Sequence, residues 1–273
     1  MKTVILCGGA GTRIRDVTEN LPKPMIPVGA YPILWHIMKY YSCWGHSQFV
    51  LCLGYKGQVI KEFFLNYEAF TRDFTLKLGS TGMRKPSYHT LHDESDWEVT
   101  LSDTGLAAMT GARVKRIKKY VADEENFLLT YGDGVGDIDI DKLIAFHRAH
   151  GKILTVTGVR PPGRFGELGC TAEGIVDEFN EKPQTTGGLI SGGFFVCNRR
   201  IFDYLDDSEQ LVFEQQPMKQ LVRDRQMAVF KHGGFWQPMD TFREYSLLND
   251  MYRSGNAPWA LWDRQAKNRK GAG

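Results

Sequence analysis

The sequence predicts an α/β fold in which a mixed, mostly parallel sheet is flanked by helices, with a smaller strand-rich part in the second half. Three observations predict it. The chain has 273 residues, 42% of them hydrophobic, which is enough for a large buried core. Short apolar runs alternate with helical patterns in the first half, as in βαβ units. From Ile153 onward the apolar runs are short and broken by glycine, which indicates further strands continuing the sheet.

The first βαβ unit begins with Thr3–Cys7, an apolar run that predicts a buried strand. Tyr31–Gly45 has helical periodicity, with Pro32 near its first turn and a glycine at its end. Phe49–Leu53 is apolar and predicts a second strand, and Gln58–Tyr67 predicts a second helix. Such a unit places its two strands parallel to each other.

The same alternation continues to residue 150. Glu98–Ser102 predicts a strand and Thr110–Val121 a basic helix. Phe127–Tyr131 is an apolar run that ends in a Gly-Asp-Gly turn, and Asp139–His150 again has helical periodicity. These elements predict a parallel sheet with helices on both faces.

The second half adds short strands and two helices. The predicted strands are Leu154–Val159, Cys170–Ala172, Ile175–Phe179 and Ile190–Asn198, and the predicted helices are Glu214–Arg223 and Thr241–Arg253. Gly79–Asp96 mixes Gly, Ser, Pro and charged residues and is predicted to be an exposed insertion. We expect one domain over residues 1–262 and a polar tail over residues 263–273.

Composition excludes several classes of function. Lys plus Arg is 34 and Asp plus Glu is 32, so the formal charge is +2 and no excess basic surface is available for nucleic acid. No apolar run approaches the roughly 20 residues that span a bilayer, so we expect no membrane partner. The five cysteines are odd in number and form no CxxC pair, which favours reduced thiols and a cytoplasmic protein.

A glycine-rich turn, Gly8-Gly9-Ala10-Gly11-Thr12-Arg13, directly follows the first strand. Backbone N–H groups of such a turn can approach an anion closely. The turn is not the dinucleotide fingerprint, because Ile14 stands where the last glycine would be. Pro22-Lys23-Pro24-Met25 follows, and its prolines restrain the backbone around a cation. The pair of motifs favours phosphate binding over a purely structural turn.

Two aspartates are candidate ligands of Mg²⁺. Asp133 follows the Phe127–Tyr131 strand, at the edge where open α/β sheets bind ligands, and Asp240 follows a predicted strand-to-helix turn. Two carboxylates together with water and phosphate oxygens suit this ion. The alternatives are that Asp133 is a turn residue and that Asp240 is the N-cap of the next helix, and Asp240 could serve as both.

These motifs resemble the signature of the sugar nucleotidyltransferases, in which GGxGTR is followed by PKPM. Further stretches in the family's order extend the resemblance over roughly residues 1–262: Gly54-Tyr55-Lys56, Asp103-Thr104-Gly105, Met109-Thr110-Gly111-Ala112-Arg113, Tyr131-Gly132-Asp133-Gly134, Pro162-Gly163-Arg164-Phe165-Gly166 and Phe235-Trp236-Gln237-Pro238-Met239-Asp240-Thr241. The sequence is most similar to the members that use CTP and glucose 1-phosphate. The resemblance implies a Rossmann-like sheet, Mg²⁺ as cofactor, transfer of a cytidylyl group to the sugar phosphate with release of pyrophosphate, and a homo-oligomer. It also implies a role in making precursors of surface polysaccharides.

The resemblance also assigns roles to individual residues. The implied catalytic residues are Arg13, Lys23, Asp133 and Lys182, and the implied metal ligands are Asp133 and Asp240. The implied nucleotide-binding residues are Leu6, Gly8, Gly9, Gly11, Thr12, Arg13, Lys23, Gly105, Thr110, Arg113 and Tyr131. The implied sugar-binding residues are Gly166, Glu181, Lys182, Ser191 and Gly193. Residues 1–150 would then bind mainly the nucleotide, and residues 151–262 mainly the sugar.

Elementary chemistry agrees with such a site. A phosphate monoester dianion is already a nucleophile, so the reaction needs cations and positioning more than a general base. Cytosine presents O2 and N3 as acceptors, so a guanidinium such as that of Arg113 suits it better than uracil or thymine. Ser191 departs from the family pattern, which has Asn there, so another sugar 1-phosphate stays open, as does UTP or dTTP.

Two other classes of protein are alternatives. A catalytically silent nucleotide-binding subunit is disfavoured because the phosphate cations and both aspartates are present, and an NAD-dependent oxidoreductase is disfavoured by the missing third glycine. His89 with His92, and His147 with His150, lack a third metal ligand and are interpreted as surface histidines.

Overall fold

A seven-stranded sheet forms the centre of the computed structural model, which describes residues 1–9, 21–78, 85–161, 167–170, 176–180 and 188–263. Its strands in chain order are β1 (Thr3–Leu6), β2 (Gln48–Leu53), β3 (Glu98–Asp103), β4 (Asn126–Tyr131), β5 (Leu154–Val159), β6 (Ile190–Asn198) and β7 (Met227–Lys231). Their order across the sheet is β3-β2-β1-β4-β6-β5-β7. Strand β6 runs antiparallel to both of its neighbours, and every other pairing is parallel. The predicted mixed, mostly parallel sheet is therefore confirmed.

Strand β1 lies inside the sheet, between β2 and β4. Thr3 pairs with Phe49 on one side and with Leu128 on the other, so β1, β2 and β4 end at the same edge. Along β1, Val4 and Ile5 point to opposite faces, and each is 0% exposed within a separate apolar core. Both faces are covered, which is why these strands are continuous apolar runs rather than alternating ones.

Helices cover the two faces. They are α1 (Ile33–Ser42), α2 (Gly57–Leu65), α3 (Tyr67–Thr71), α4 (Thr110–Arg116), α5 (Lys118–Val121), α6 (Ile140–His150), α7 (Gln216–Arg223) and α8 (Phe242–Arg253). Short 3₁₀ turns occupy Lys23–Met25 and Arg199–Tyr204. Among the helices of the described ranges, none is long and apolar enough to cross a membrane.

Within the described residues, four two-stranded ribbons lie outside the central sheet. They pair Pro27–Val28 with Tyr31–Pro32, Phe74–Thr75 with Ser87–Tyr88, Gly134–Gly136 with Trp236–Pro238, and Glu167–Cys170 with Val176–Asn180. The last ribbon corrects the prediction that the strands near residues 170 and 179 continue the main sheet. The ribbon between residues 134–136 and 236–238 was not predicted, and it brings together two loops that are far apart in the chain.

Two predicted helices are divided. The helix predicted at Gln58–Tyr67 ends at Leu65, because the Asn66 side chain donates a hydrogen bond of 2.8 Å to the Glu62 carbonyl and caps the helix end. The helix predicted at Thr110–Val121 is interrupted at Ile117, whose backbone angles (φ −92°, ψ 3°) leave the helical range. The hydrophobic periodicity of the sequence does not predict either break.

The described part of the predicted exposed insertion is mostly exposed, with Glu94 as an exception, whereas the interpretation of His147 as a surface histidine is wrong. The insertion predicted to be exposed carries a buried carboxylate, because the Lys39 ammonium lies 2.5 Å from Glu94 and both side chains are 8% exposed. His147 is not at the surface: it is 3% exposed and shares a hydrogen bond of 2.8 Å with Thr155 Oγ1. The predicted polar tail lies outside the described residues beyond residue 263.

Candidate active site

A cleft of about 370 Å³ opens at the edge where β1, β2 and β4 end. It is lined by Leu6, Cys7, Gly8, Gly9, Lys23, Pro24, Ala108, Met109, Thr110, Arg113, Tyr131, Gly132, Asp133 and Asp240. The carboxyl ends of parallel strands are where open α/β sheets bind ligands. Most of the described residues predicted to bind nucleotide or metal therefore line a single cleft.

Lys23 lies between the two predicted metal ligands. Its ammonium is 2.5 Å from Asp133 Oδ2 and 2.5 Å from Asp240 Oδ1, and its side chain is 12% exposed. Burial lowers the pKa of this ammonium, but the two carboxylates outweigh that effect and hold the pKa above its usual value. Lys23 is thus held in its charged form in the lining of the cleft.

The ribbon between residues 134–136 and 236–238 explains why the two aspartates meet. Gly134 pairs with Pro238, and the Met239 N–H donates a hydrogen bond of 2.8 Å to the Asp133 carbonyl. Helix α8 then begins with Thr241 as its N-cap, in a capping box with Glu244. Asp240 is therefore not the N-cap, and its carboxylate is directed to Lys23 instead.

The donor set fits a divalent cation of the magnesium type. Asp133 and Asp240 both contact the Lys23 ammonium through a carboxylate oxygen. The two carboxylates are therefore close enough together to bind one metal ion. Within the described ranges no group of three or more His, Cys, Asp or Glu side chains is placed to hold a metal. Mg²⁺ is commonly bound by one or two carboxylates together with substrate phosphates and water.

Arg113 forms the wall of the cleft at the base of helix α4. It is 5% exposed, and its Nη1 donates hydrogen bonds of 2.9 Å to the Leu53 carbonyl and 2.8 Å to Thr104 Oγ1. Its Nη2 donates to the Gly8 carbonyl at 3.1 Å. The guanidinium therefore ties together the chain segments that leave β1, β2 and β3. Its contact with a cytosine base stays a prediction, and it requires N–H groups that now bind protein oxygens.

Two glycines make room for this guanidinium. A Cβ on Gly8 would lie 2.2 Å from Arg113 Cζ, and a Cβ on Gly54 would lie 2.5 Å from Arg113 Nη1. Real Cβ atoms do not approach other atoms so closely, so both positions require glycine while Arg113 is in place. The glycine at the end of β1 thus serves the packing of an arginine as well as the predicted phosphate turn.

The other described nucleotide-binding candidates lie around the same cleft. Gly105 has a φ of +92°, which favours glycine, and its carbonyl accepts a hydrogen bond of 2.9 Å from Arg113. Thr110 is the first residue of α4, and its hydroxyl donates to Glu214 at 2.7 Å. The Tyr131 hydroxyl donates to the other oxygen of Glu214. Sequence reasoning missed Glu214, which lies in no motif and reaches the site only through the tertiary fold.

The predicted sugar side is described only in part. Gly193 has a φ of +73°, and a Cβ there would lie 2.9 Å from the Tyr131 ring, so strand β6 packs directly against the nucleotide cleft. Ser191 is exposed on the same strand, and the Trp236 indole N–H donates to the Gly192 carbonyl at 2.7 Å. The remaining predicted site residues lie outside the described residues: Gly11, Thr12, Arg13, Gly166, Glu181 and Lys182.

Comparison with known proteins agrees with this geometry. The profile of the nucleotidyl transferase family matches residues 2–253. The chain is 48% identical over 265 residues to a glucose-1-phosphate cytidylyltransferase of Salmonella typhimurium strain LT2, covering 96% of this chain and 100% of that protein. It is 42% identical over 262 residues, with the same coverage, to a Bacillus subtilis protein named as a probable glucose-1-phosphate cytidylyltransferase.

A solved structure shares the fold. HddC from Yersinia pseudotuberculosis superposes with a TM-score of 0.63 at 20% sequence identity, over 92% of this chain and 99% of that one. At that identity the likeness extends to the architecture of the sheet and its helices.

Proposed function

This chain belongs to the nucleotidyl transferase family, and from that premise we propose that it transfers the cytidylyl group of CTP to α-D-glucose 1-phosphate, giving CDP-glucose and pyrophosphate. One observation carries the reaction type: the Lys23 ammonium and the Asp133 and Asp240 carboxylates meet at the carboxyl edge of the sheet. The choice of substrates is supported by the 48% identity to a protein named for this activity over nearly the whole of both chains.

In the proposed mechanism, the protein neutralises and positions two polyanions. An oxygen of the sugar phosphate attacks the α-phosphorus of CTP and forms a new P–O bond. The bond between the α-phosphorus and the oxygen that bridges it to the β-phosphorus breaks, and pyrophosphate leaves. The attacking dianion needs no general base, so positioning and charge stabilisation supply the catalysis. Lys23 is the described cation best placed to bind the phosphates, because it lies in the cleft between the two carboxylates.

Enzymes of this family generally use a divalent metal, and we propose that Asp133 and Asp240 hold Mg²⁺. When bound, that ion neutralises the charge of the triphosphate and orients it. The two aspartates would supply oxygen ligands on one side, and Lys23, which now pairs with both of them, would turn its ammonium to the phosphate oxygens. The proposal extends to Arg13 as a phosphate ligand and to Lys182 and Glu181 as ligands of the sugar phosphate and the sugar hydroxyls.

Recognition of the base is proposed for the Arg113 side of the cleft. The phosphate-facing Gly8-Gly9 turn, Leu6 and Tyr131 surround the same space. Residues 1–150 would thus bind mainly the nucleotide, and residues 151–262, with Gly166, Ser191 and Gly193, mainly the sugar.

The assembly and the cellular location belong to the same proposal. Large apolar side chains are exposed near the 74–88 ribbon, with Leu65 at 80%, Phe70 at 68% and Leu91 at 86%, and such a surface suits a homo-oligomer. Cys7, Cys43, Cys52 and Cys197 are free thiols, as expected of a chain that works in the reducing cytoplasm.

The experiment that tests the proposed function is a substrate panel. The purified protein is incubated with Mg²⁺, with glucose 1-phosphate or another sugar 1-phosphate, and with one of CTP, UTP, dTTP, ATP or GTP. Pyrophosphate release and nucleotide binding are measured. We expect release with CTP. Release with a different nucleotide alone would overturn the assignment of the base while keeping the reaction. If only a different sugar 1-phosphate supports release, the assignment of the sugar is wrong. Nucleotide binding without release under any condition would show a silent binding protein.

A further inference from the structure

One carboxylate, that of Glu214, binds two hydroxyl groups of the nucleotide cleft. Tyr131, at the end of β4, donates its hydroxyl to Oε1 of Glu214. Thr110, at the start of α4, donates its hydroxyl to Oε2 at 2.7 Å. Both hydroxyl-bearing residues line the cleft, whereas Glu214 is not among the lining residues. Glu214 therefore joins the strand that leads to Asp133 with the helix that carries Arg113.

The chain segment before Glu214 holds the same helix end. The Leu211 carbonyl accepts a hydrogen bond of 2.9 Å from the Gly111 N–H, and the Phe213 N–H donates to Thr110 Oγ1 at 2.9 Å. N–H groups in the first turn of a helix have no partner within the helix, so an outside acceptor fixes the helix in place. A Cβ on Gly111 would lie 2.8 Å from Leu211 Cγ, so this approach depends on glycine.

The hydrogen bonds that Glu214 accepts orient the hydroxyl groups of Thr110 and Tyr131. In the part of the chain that the structure describes, its two oxygens bind hydroxyl groups rather than a lysine or an arginine. Hydrogen bonds to a charged acceptor are about twice as strong as those between neutral groups.

We propose that Glu214 is a positioning residue for the nucleotide: by holding the hydroxyls of Tyr131 and Thr110, it fixes the distance between the metal side and the base side of the cleft. This inference rests on the proposed nucleotide binding in that cleft. Glu214 acts through its two partners, so its loss should weaken binding of CTP and leave the sugar phosphate largely unaffected.

The test uses variants that change hydrogen bonding with little change of shape. In Glu214→Gln the amide nitrogen cannot accept a hydrogen bond, so one of the two hydroxyls loses its acceptor. Tyr131→Phe removes one donor, and the double variant completes a thermodynamic cycle. Glu209→Gln is the matched control, because Glu209 lies on the same segment but is half exposed and pairs with Arg116 at 3.4 Å. KM for CTP, KM for glucose 1-phosphate, kcat and the dissociation constant of CTP by calorimetry are measured for each, with the melting temperature.

We expect Glu214→Gln to raise the KM and the dissociation constant of CTP about tenfold, the loss typical of one hydrogen bond to a charged group. KM for glucose 1-phosphate should change less than about twofold, and Glu209→Gln should behave as the wild type. The double variant should bind CTP less weakly than the product of the two single effects predicts, because Glu214→Gln already weakens the hydrogen bond that Tyr131→Phe removes. Should Glu214→Gln fail to fold, Tyr131→Phe and Thr110→Val must each weaken CTP binding on their own.

Several results would overturn the inference. The first is unchanged CTP binding in Glu214→Gln, and the second is a loss of CTP affinity in the double variant that equals the sum of the two single losses in free energy. The third is a loss of affinity that is equal for both substrates and parallels the fall in melting temperature. The proposed function is tested separately by turnover of the wild type. If the wild type binds CTP without turnover, the proposed function fails, and the binding constants still decide the role of Glu214. If the wild type does not bind CTP, both fail.

Discussion

The Lys23 ammonium lies 2.5 Å from the Asp133 carboxylate and is the same distance from that of Asp240. Three chain segments that are far apart in sequence thus place one positive and two negative charges within a single cleft. Lys23 offsets part of the negative charge of the two aspartates in the protein alone, and it is also the cation that the proposed chemistry requires at the phosphates. The following predictions test this arrangement.

Replacement of the Lys23 cation should strongly lower turnover. We expect Lys23→Met to lower kcat by about 100-fold or more, the loss typical of one charge-stabilising group at a transition state. Lys39→Met is the matched control, since Lys39 forms an equally short ion pair with Glu94 outside the cleft. That variant should lower the melting temperature while keeping kcat near the wild-type value. A Lys23→Met protein that is folded and fully active would contradict the role of Lys23.

Removal of one proposed metal ligand should raise the metal requirement. We expect Asp240→Asn to need about tenfold more Mg²⁺ for half-maximal rate, because one charged ligand is lost. Chelator treatment should abolish the wild-type activity, and added Mg²⁺ should restore it. Asp139→Asn serves as control, because Asp139 caps helix α6 by accepting from the Lys142 N–H at 2.9 Å, a role that Asn can also fill. Equal Mg²⁺ curves for Asp240→Asn and the wild type would rule out Asp240 as a ligand.

A methyl group at Gly54 should displace Arg113. The new Cβ would lie 2.5 Å from Arg113 Nη1 and 2.8 Å from the Gly8 carbonyl oxygen, so the guanidinium or the glycine-rich turn must move. We expect Gly54→Ala to destabilise the protein by about 1–3 kcal/mol, as overpacking commonly does, and to raise the KM of the nucleotide. Gly233→Ala meets nothing within 4 Å and should change neither quantity. Urea unfolding and initial-rate kinetics measure both effects, and an unchanged Gly54→Ala protein would contradict the packing described here.

A buried histidine should make stability depend on acid pH. His36 donates from Nε2 to the Val28 carbonyl at 2.8 Å, and its Nδ1 accepts from the Trp259 indole at 3.3 Å, so the ring is held neutral. Burial lowers its pKa from 6.5 to about 4. In this window the unfolded chain binds a proton that the folded chain does not, so stability falls as pH falls from about 6.5 to about 4.

The loss from His36 alone should be about 3 kcal/mol over that window. The free energy of unfolding in urea, measured between pH 7 and pH 4 for the wild type and for His36→Gln, tests this. The variant should show a shallower dependence on pH, whatever its absolute stability. Parallel curves for the two proteins would show that His36 does not titrate on unfolding.

The sequence predicted the sheet and most of the cleft because both depend on local patterns. The apolar runs Thr3–Cys7 and Phe127–Tyr131 predict buried strands, which the structure has at Thr3–Leu6 and Asn126–Tyr131. The glycine-rich turn and Asp133 come shortly after these strands. Parallel strands then bring the loops that follow them to one edge, whatever their distance along the chain. The motif around Lys23 predicted that this residue belongs to the nucleotide site, but it did not predict the contact of Lys23 with both aspartates.

Features that depend on contacts between distant segments were not predictable. The ribbon that joins Gly134–Gly136 to Trp236–Pro238 is too short and too rich in glycine to have a strand signature, yet it brings Asp133 and Asp240 together. Glu214 lies in a loop without a motif, and only the packing of that loop on helix α4 brings it to the cleft. The burial of Glu94 likewise depends on a lysine in another helix.

The most direct test of nucleotidyl transfer at this cleft is ³¹P nuclear magnetic resonance of a reaction containing the protein, Mg²⁺, CTP and glucose 1-phosphate. We expect the signals of the triphosphate and of the sugar phosphate to decline together, while those of CDP-glucose and pyrophosphate grow in equal amounts. The same mixture with Asp133→Asn should show none of these changes. Hydrolysis of CTP without a CDP-sugar signal, or equal product formation by wild type and Asp133→Asn, would contradict the proposed reaction at this site.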